Sequence, residues 1–337
     1  MSGTATTLHI AVPSLDRSLA GSADSSLQAL RLPATEWLVS RGDRTPESPA
    51  SWREWLLDDA GLGDNLLERF PAGPCAHAAW TGGPAGGTWA CAVPVHLLTA
   101  IDHLQLAGPV PLPLEAGESD ALLASLEAHL AGTGFRLHSF PGRGWLCECP
   151  ADLACTAVEP AAAVGRNLRE LLPGGRDAAR VRALVNELQM LLHEHPVNEQ
   201  RALRGAPAMN SLWLWGFGTA VEPRAPAQGA LLTDDAWLAG LWRLHGGEVG
   251  SPDDLGVHLR RGTAVLRVAL APANGDQDLR DQLTALDQSL LAPALAALLD
   301  GAVRCLSLHT GRAAFEVTRH ARWRLWRRSR PLGEALQ

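Results

Sequence analysis

From residue 211 onward, short apolar runs alternate with stretches whose leucines recur every three or four positions. Runs at 211–215, 229–232, 263–270, 303–308 and 314–317 read as strands, with β-branched residues concentrated in 263–270. Between them, 236–244 and 279–299 carry a helical stripe, the second through Leu283, Leu286, Leu290, Leu291, Leu295 and Leu298. A chain that keeps inserting a helix between buried strands is driven to a layered α/β fold with a mostly parallel sheet. Residues 8–12 supply a further buried strand near the start.

The middle of the chain reads differently. Residues 119–130 form a helix stopped by Gly132 and Gly134, and 135–140 with 145–149 form a hairpin around PGRG. The clearest helix is 178–193, with Val181, Leu184, Val185, Leu188, Leu191 and Leu192 on one face, ended by Pro196. These patterns suggest an α/β core from 1–89 and 161–320, a smaller α+β lobe inserted at 90–160, and a basic Arg/Trp segment at 321–337. In that last segment the expectation is tryptophans packed inward and arginines outward.

Composition excludes several chemistries. The 29 basic residues are all arginine, and the chain has neither Lys nor Tyr. Schiff-base chemistry, a Walker A loop, a protein kinase and a tyrosine acid, base or nucleophile are thereby excluded. A net charge of −7 argues against general nucleic-acid binding. Residues 70–101 lack any Asp, Glu, Lys or Arg, but their prolines and glycines fit a loop and a buried strand, not a membrane span. The opening MSGTATTLHIAVPSL has no basic n-region, so the expected compartment is the cytoplasm. The six cysteines are irregularly spaced and do not resemble a disulfide framework.

Few constellations carry chemistry by spacing. Cys147, Cys149 and Cys155 do not match a common zinc pattern, and alternation puts the first two on one strand face as buried thiols. Asp102 and His103 point to opposite faces if their segment is a strand. No G-x-S-x-G elbow occurs. His193 and His195 stand at i, i+2, the wrong spacing for a helical metalloprotease site. The turn HEHPVNEQR either locks a helix end or lines a pocket. AMNSLWLWGFG reads as a strand entering a Gly-x-Gly turn, a place where α/β proteins hold ligands.

The stretch NELQMLLHEHPVNEQRALRGAPAMNSLWLWGFG (186–218) resembles the RpfE-type regulatory proteins of bacteria. It is also similar to the archaeal-type cofactor-independent phosphoglycerate mutases of the alkaline phosphatase superfamily. Those enzymes carry a His-Pro-x-Asn-x-x-Arg turn and a strand opening on Asn and closing on Trp-Gly-x-Gly. The matching positions are His195, Pro196, Asn198, Arg201, Asn210, Trp215, Gly216 and Gly218, and the likeness continues weakly through 229–249.

The resemblance implies a three-layer alkaline-phosphatase-like core. It also implies a pocket for a small phosphorylated or carboxylated metabolite lined by His195, Asn198, Arg201, Asn210, Trp213 and Trp215, with Gly216 and Gly218 allowing close approach. Arg201 is the expected anion partner.

The enzymes use two metal ions held by Asp and His, with a Ser as phosphoryl acceptor, and here the pattern departs. Val12, Pro13, Ser14 and Leu15 follow the first strand, Ala273, Asn274, Gly275 and Asp276 follow a later one, and Leu308 and His309 end the last. No convincing Ser segment occurs between 40 and 90. The favoured expectation is therefore a non-catalytic or regulatory pseudoenzyme without a cofactor. One alternative is an active mutase or metal-dependent phosphohydrolase binding Mn or Zn through Asp16, Asp276, His309 and His320. Another is a protein interaction module using the basic C-terminus. No membrane partner is expected.

Overall fold

The computed structural model describes residues 5–13, 15, 30–45, 52–62, 65–99, 104–140, 144–223, 225–270, 279–311, 313–328 and 330. The chain forms two compact units, Met1–Leu66 with Pro223–Gln337, and Leu67–Glu222. The first unit begins with β1 (Thr6–Ala11), α1 (Pro33–Arg41), β2 (Asp43–Thr45) and α2 (Trp52–Leu57). The second holds α3 (Ala72–Thr81), β3 (Thr88–Thr99), β4 (Leu104–Ala107), α4 (Ala116–Leu130), β5 (Arg136–Phe140), β6 (Gly144–Cys149), α5 (Ala178–His193), α6 (Pro196–Leu203) and β7 (Ser211–Thr219). The first then resumes with β8 (Ala230–Thr233), α7 (Ala236–Leu244), β9 (Glu248–Gly250), α8 (Leu255–Arg261), β10 (Val265–Ala269) and α9 (Leu279–Leu286). A π turn (Asp287–Leu291) leads from α9 into α10 (Ala292–Asp300), followed by β11 (Val303–His309) and β12 (Ala314–Thr318).

In the first unit the sheet order is β2-β12-β11-β1-β10-β8-β9. Strands β11, β1, β10, β8 and β9 are mutually parallel, and β12 and β2 add an antiparallel edge. Leu8, Ile10, Leu266, Val268, Leu306 and Leu308 are fully buried on one face, packed with Leu290, Leu291, Ala294 and Leu298. The helical run Arg280–Asp300 is long and apolar enough to cross a membrane by length and composition, but this stripe is what seats it in the core.

The π turn has a structural use. Asp287 accepts hydrogen bonds from the Ala34 and Thr35 backbone N–H groups (3.2 and 2.7 Å) and the Thr35 hydroxyl (2.6 Å). It thus satisfies the orphan donors at the start of α1, where a negative charge also meets the positive end of the helix dipole.

The other face of this sheet carries a polar row, His9, Arg267 and Ser307, in register across β1, β10 and β11. Arg267 is buried at 1% exposure and donates to the Leu56 and Gln228 carbonyls (3.0 and 2.7 Å), with its guanidinium over Trp242. A buried arginine is tolerable only with such partners.

The second unit is built on an antiparallel sheet, order β4-β3-β6-β5, with β7 on the free edge of β3. The boundaries read from the sequence at 90 and 160 fall inside this unit. The reason is a long-range pairing: β3 bonds along β7 from Thr88↔Thr219 to Val95↔Ser211, which draws the flanking segments into the insert. The hairpin read at 135–149 is present as β5 and β6.

The Gly-x-Gly pair is not a turn after the strand, because β7 runs through it to Thr219. Gly216 has φ +66°, and a Cβ there would lie 2.5 Å from the Ala72 Cβ; one on Gly218 would lie 2.4 Å from Pro71 Cγ. These glycines admit the start of α3, a packing role.

The C-terminal segment also differs from expectation. Trp323, Leu325 and Trp326 are 64%, 71% and 77% exposed. Arginines turn inward instead, because β2 and the residues before it offer acceptors. Arg324 binds both Asp43 carboxylate oxygens (2.7 and 2.6 Å) and Arg327 the Gly42 carbonyl (2.7 Å).

Candidate functional site

In layered α/β folds the carboxyl ends of the parallel strands are where chemistry is expected. At the end of β8, Thr233 Oγ1 accepts from Asp235 N (2.9 Å), and Asp235 caps α7 by accepting from Leu238 N (3.0 Å). Its other oxygen pairs with Arg53 at 2.7 Å, both side chains being nearly buried. At the end of β11, His309 Nδ1 accepts from Gly311 N (3.1 Å), and the ring lies 4.9 Å from Trp55. Trp55 also meets His9 edge-on at 6.1 Å, and the Arg53 guanidinium sits over Trp52 and Trp237. Among the described residues, the ends of β8 and β11 carry an aromatic and ion-paired cluster.

Of the four metal-ligand candidates, Asp16 and Asp276 lie outside the described residues. His309 and His320 do not converge. His309 pairs with Ala314 at the start of β12, whereas His320 follows its other end, four strand steps or about 14 Å further. Among the described residues, no group of three or more His, Cys, Asp or Glu is placed to hold a metal ion. Of that donor set, His309 is engaged by Gly311 N and Trp55.

The His-Pro-x-Asn-x-x-Arg turn lies in the second unit. His195 is the N-cap of α6; its Nδ1 accepts from Val197 N (3.2 Å), so a neutral ring must donate through Nε2 to Ser125 Oγ (2.9 Å). Burial lowers its pKa. Asn198 donates to the Leu192 and Met209 carbonyls and accepts from Met209 N (2.8, 2.8 and 2.9 Å), tying the end of α5 to the start of β7. Asn210 both donates to and accepts from the Leu97 backbone (2.8 and 2.7 Å), standing in for a strand neighbour.

Arg201, side chain 6% exposed, donates to Glu118 (2.6 Å) and to the Pro207 and Pro113 carbonyls (2.7 and 3.2 Å). Arg204 reaches the second oxygen of Glu118. Burial pushes the Glu118 carboxyl up, but the Glu115 N–H and the two arginines outweigh it and hold its pKa below the ordinary range. The expected anion partner is therefore committed to an internal carboxylate. His195, Asn198 and Arg201 form a lock. Trp213 borders a separate cavity and Asn210 an adjoining one, while Gly216 and Gly218 serve packing.

The cysteines are thiols. Cys147 and Cys149 stand Sγ to Sγ at 3.9 Å in the core of the second unit, and their mutual hydrogen bond with burial raises the Cys147 pKa. Burial pushes Cys155 to about 11. Protonated thiols are poor nucleophiles and poor ligands.

Sequence reasoning missed Arg53, Trp55, Glu118 and Arg267. Glu118 offered one local signal, three residues after Glu115 at a helix start, and these two form a reciprocal capping box. Its partner Arg201 is remote in sequence and left none.

No family profile matches the chain. Parts of it are similar to named enzymes. The 2,3-bisphosphoglycerate-independent phosphoglycerate mutase of Methanosarcina barkeri is 28% identical over 129 residues, 36% of this chain and 31% of the relative. A probable mutase of the same name from Geobacter sulfurreducens is 36% identical over 89 residues, 26% and 21% respectively. The matches span about a third or less of these relatives' length. Among solved structures, the PH0037 protein from Pyrococcus horikoshii superposes with TM-score 0.51 at 16% identity, covering 94% of this chain and 87% of that one. A cofactor-independent phosphoglycerate mutase from Thermoplasma acidophilum gives TM-score 0.42 at 21% identity, covering 93% and 90%.

The chain has a mixed α/β fold, a mostly parallel sheet in one unit and an antiparallel sheet in the other, like that of the PH0037 protein. More narrowly, segments amounting to about a third or less of the chain are similar in sequence to 2,3-bisphosphoglycerate-independent phosphoglycerate mutases. None of these similarities is to a protein named as RpfE-type or regulatory.

Proposed function

We propose that this chain is a non-catalytic, regulatory pseudoenzyme of the bacterial cytoplasm, of the RpfE type, built on a mutase-like scaffold. One observation carries the reading. The acid and the histidine at the ends of β8 and β11 serve as structural groups: Asp235 as cap and ion-pair partner of Arg53, His309 as a ring packed on Trp55. Two-metal phosphoryl chemistry needs several hard ligands free to converge on the ions. The test is interconversion of 3- and 2-phosphoglycerate by the purified full chain with Mn²⁺ or Zn²⁺, beside an authentic mutase. Absence of turnover is expected; metal-dependent turnover overturns the proposal and establishes the active-mutase alternative.

A second reading is favoured by the exposure of Trp323, Leu325 and Trp326 beside the exposed Arg322 and Arg328. Aromatic and arginine side chains are the usual anchors of protein interfaces, so this surface fits an acidic protein partner. The double variant Trp323→Ser/Trp326→Ser should abolish capture of that partner without lowering the thermal midpoint. Unchanged capture would remove this reading.

A further inference from the structure

The second unit contains a cavity of about 630 Å³ between α5, the β3 and β7 strands, and the segment 168–173. That is the size range of small-molecule sites. Its walls are mainly aliphatic, including Leu168, Leu171, Val181, Leu212 and Leu214, with the Trp213 ring among them. The indole N–H of Trp213 is held by the Val158 carbonyl (2.9 Å), which fixes the ring as part of the wall.

The charges on the described lining residues are of one sign. Arg169 and Arg182 are the ionic members, with no Asp or Glu among the described lining residues. Arg182 is anchored by donating to the Pro173 carbonyl (3.0 Å), and both arginines are exposed, so the guanidinium groups reach water while Leu171, Leu212 and Leu214 are buried. A neighbouring cavity of about 590 Å³ shares Leu97, Thr99, Leu104, Asn186 and Gln189 with the first and extends to His193, Glu194 and Asn210. The combined groove follows α5 from Arg182 to His193, eleven residues or about 16 Å. It is cationic at one end, apolar along its length and carries a carboxylate at the other.

We infer that this groove is a binding site for an elongated amphipathic monoanion, an apolar body bearing one carboxylate or sulfonate. The head group meets Arg169 and Arg182, the body lies on the leucines and Trp213, and Glu194 disfavours a second negative charge at the far end. This site is independent of the strand ends of the first unit and of the reading proposed for them.

The experiment titrates the full chain with anilinonaphthalene sulfonate, an apolar aromatic monoanion, and competes it with decanoate, decylamine and the dianion decanedioate. Saturable one-to-one binding displaced by decanoate, and much less by the amine or the dianion, is expected. Arg169→Glu/Arg182→Glu changes exposed side chains only and should weaken decanoate about tenfold or more, since hydrogen bonds to charged groups are the strong ones. Val185→Trp should abolish binding by filling the groove, with near-UV circular dichroism checking that the fold is kept. Non-saturable binding, equal displacement by decylamine, or decanoate affinity untouched by the charge reversal would overturn the inference.

Discussion

Replacing Arg201 by Met separates the two roles open to that side chain. Met keeps the apolar stem but removes three donations, to Glu118, Pro207 and Pro113. Breaking a buried ion pair by deleting one partner costs about 3–5 kcal/mol, because the other charge stays behind in a poor solvent. Arg204, half-exposed, still reaches Glu118, which places the expected loss toward the lower end, about 3 kcal/mol. Arg201→Lys keeps the charge but not the planar fork, so at least one carbonyl is stranded and an intermediate loss of about 1–3 kcal/mol follows. Arg201→Met/Glu118→Gln should cost less than the sum of the single changes, since the stranded charge is gone.

The assay is urea denaturation read by hydrogen exchange in peptides spanning α6 and β7, which reports the lock itself. If Arg201→Met shifts stability by under about 1 kcal/mol, the range of an exposed ion pair, while phosphate or carboxylate binding is lost, the side chain is an anion receptor and the structural argument fails.

Three further outcomes are expected. Gly216→Ala should destabilise by about 2–5 kcal/mol, summing a left-handed backbone and a collision with Ala72, read by the same denaturation. Asp287→Ala should cost about 1–3 kcal/mol by stranding the Ala34 and Thr35 donors at the start of α1, read as faster exchange of those amides. Acid should loosen the second unit in two steps. Burial holds the His195 pKa below its usual 6.5, so its contribution is full above pH 6.5 and is lost as pH falls toward the folded-state value; that of Glu118, also depressed, is lost at lower pH as its carboxylate protonates. His195→Asn keeps a capping side chain and should flatten the first step in a plot of denaturation midpoint against pH.

Much of the architecture is legible in the sequence because it is written locally. Alternating apolar runs and leucine stripes mark β8, β10, α9–α10, β11 and β12. The insert boundaries are not legible, because they depend on β3 pairing with β7 across more than a hundred residues. The turn at 195–201 shows why motif and role can part. Its residue types suit a ligand, yet the partners that decide its use, Glu118, Pro113 and the Met209 backbone, come from other segments. The outward tryptophans at the C-terminus have the same origin: Asp43 on β2 draws Arg324 and Arg327 inward, and the rings take what surface remains.

The central claim is that Asp235 and His309, at the ends of β8 and β11, serve ion pairing and packing instead of holding ions. Metal content of the full chain after loading with Mn²⁺ or Zn²⁺ and dialysis tests it most directly. The account predicts substoichiometric metal and a denaturation midpoint unchanged by loading; a bimetallic complement that raises the midpoint would contradict it.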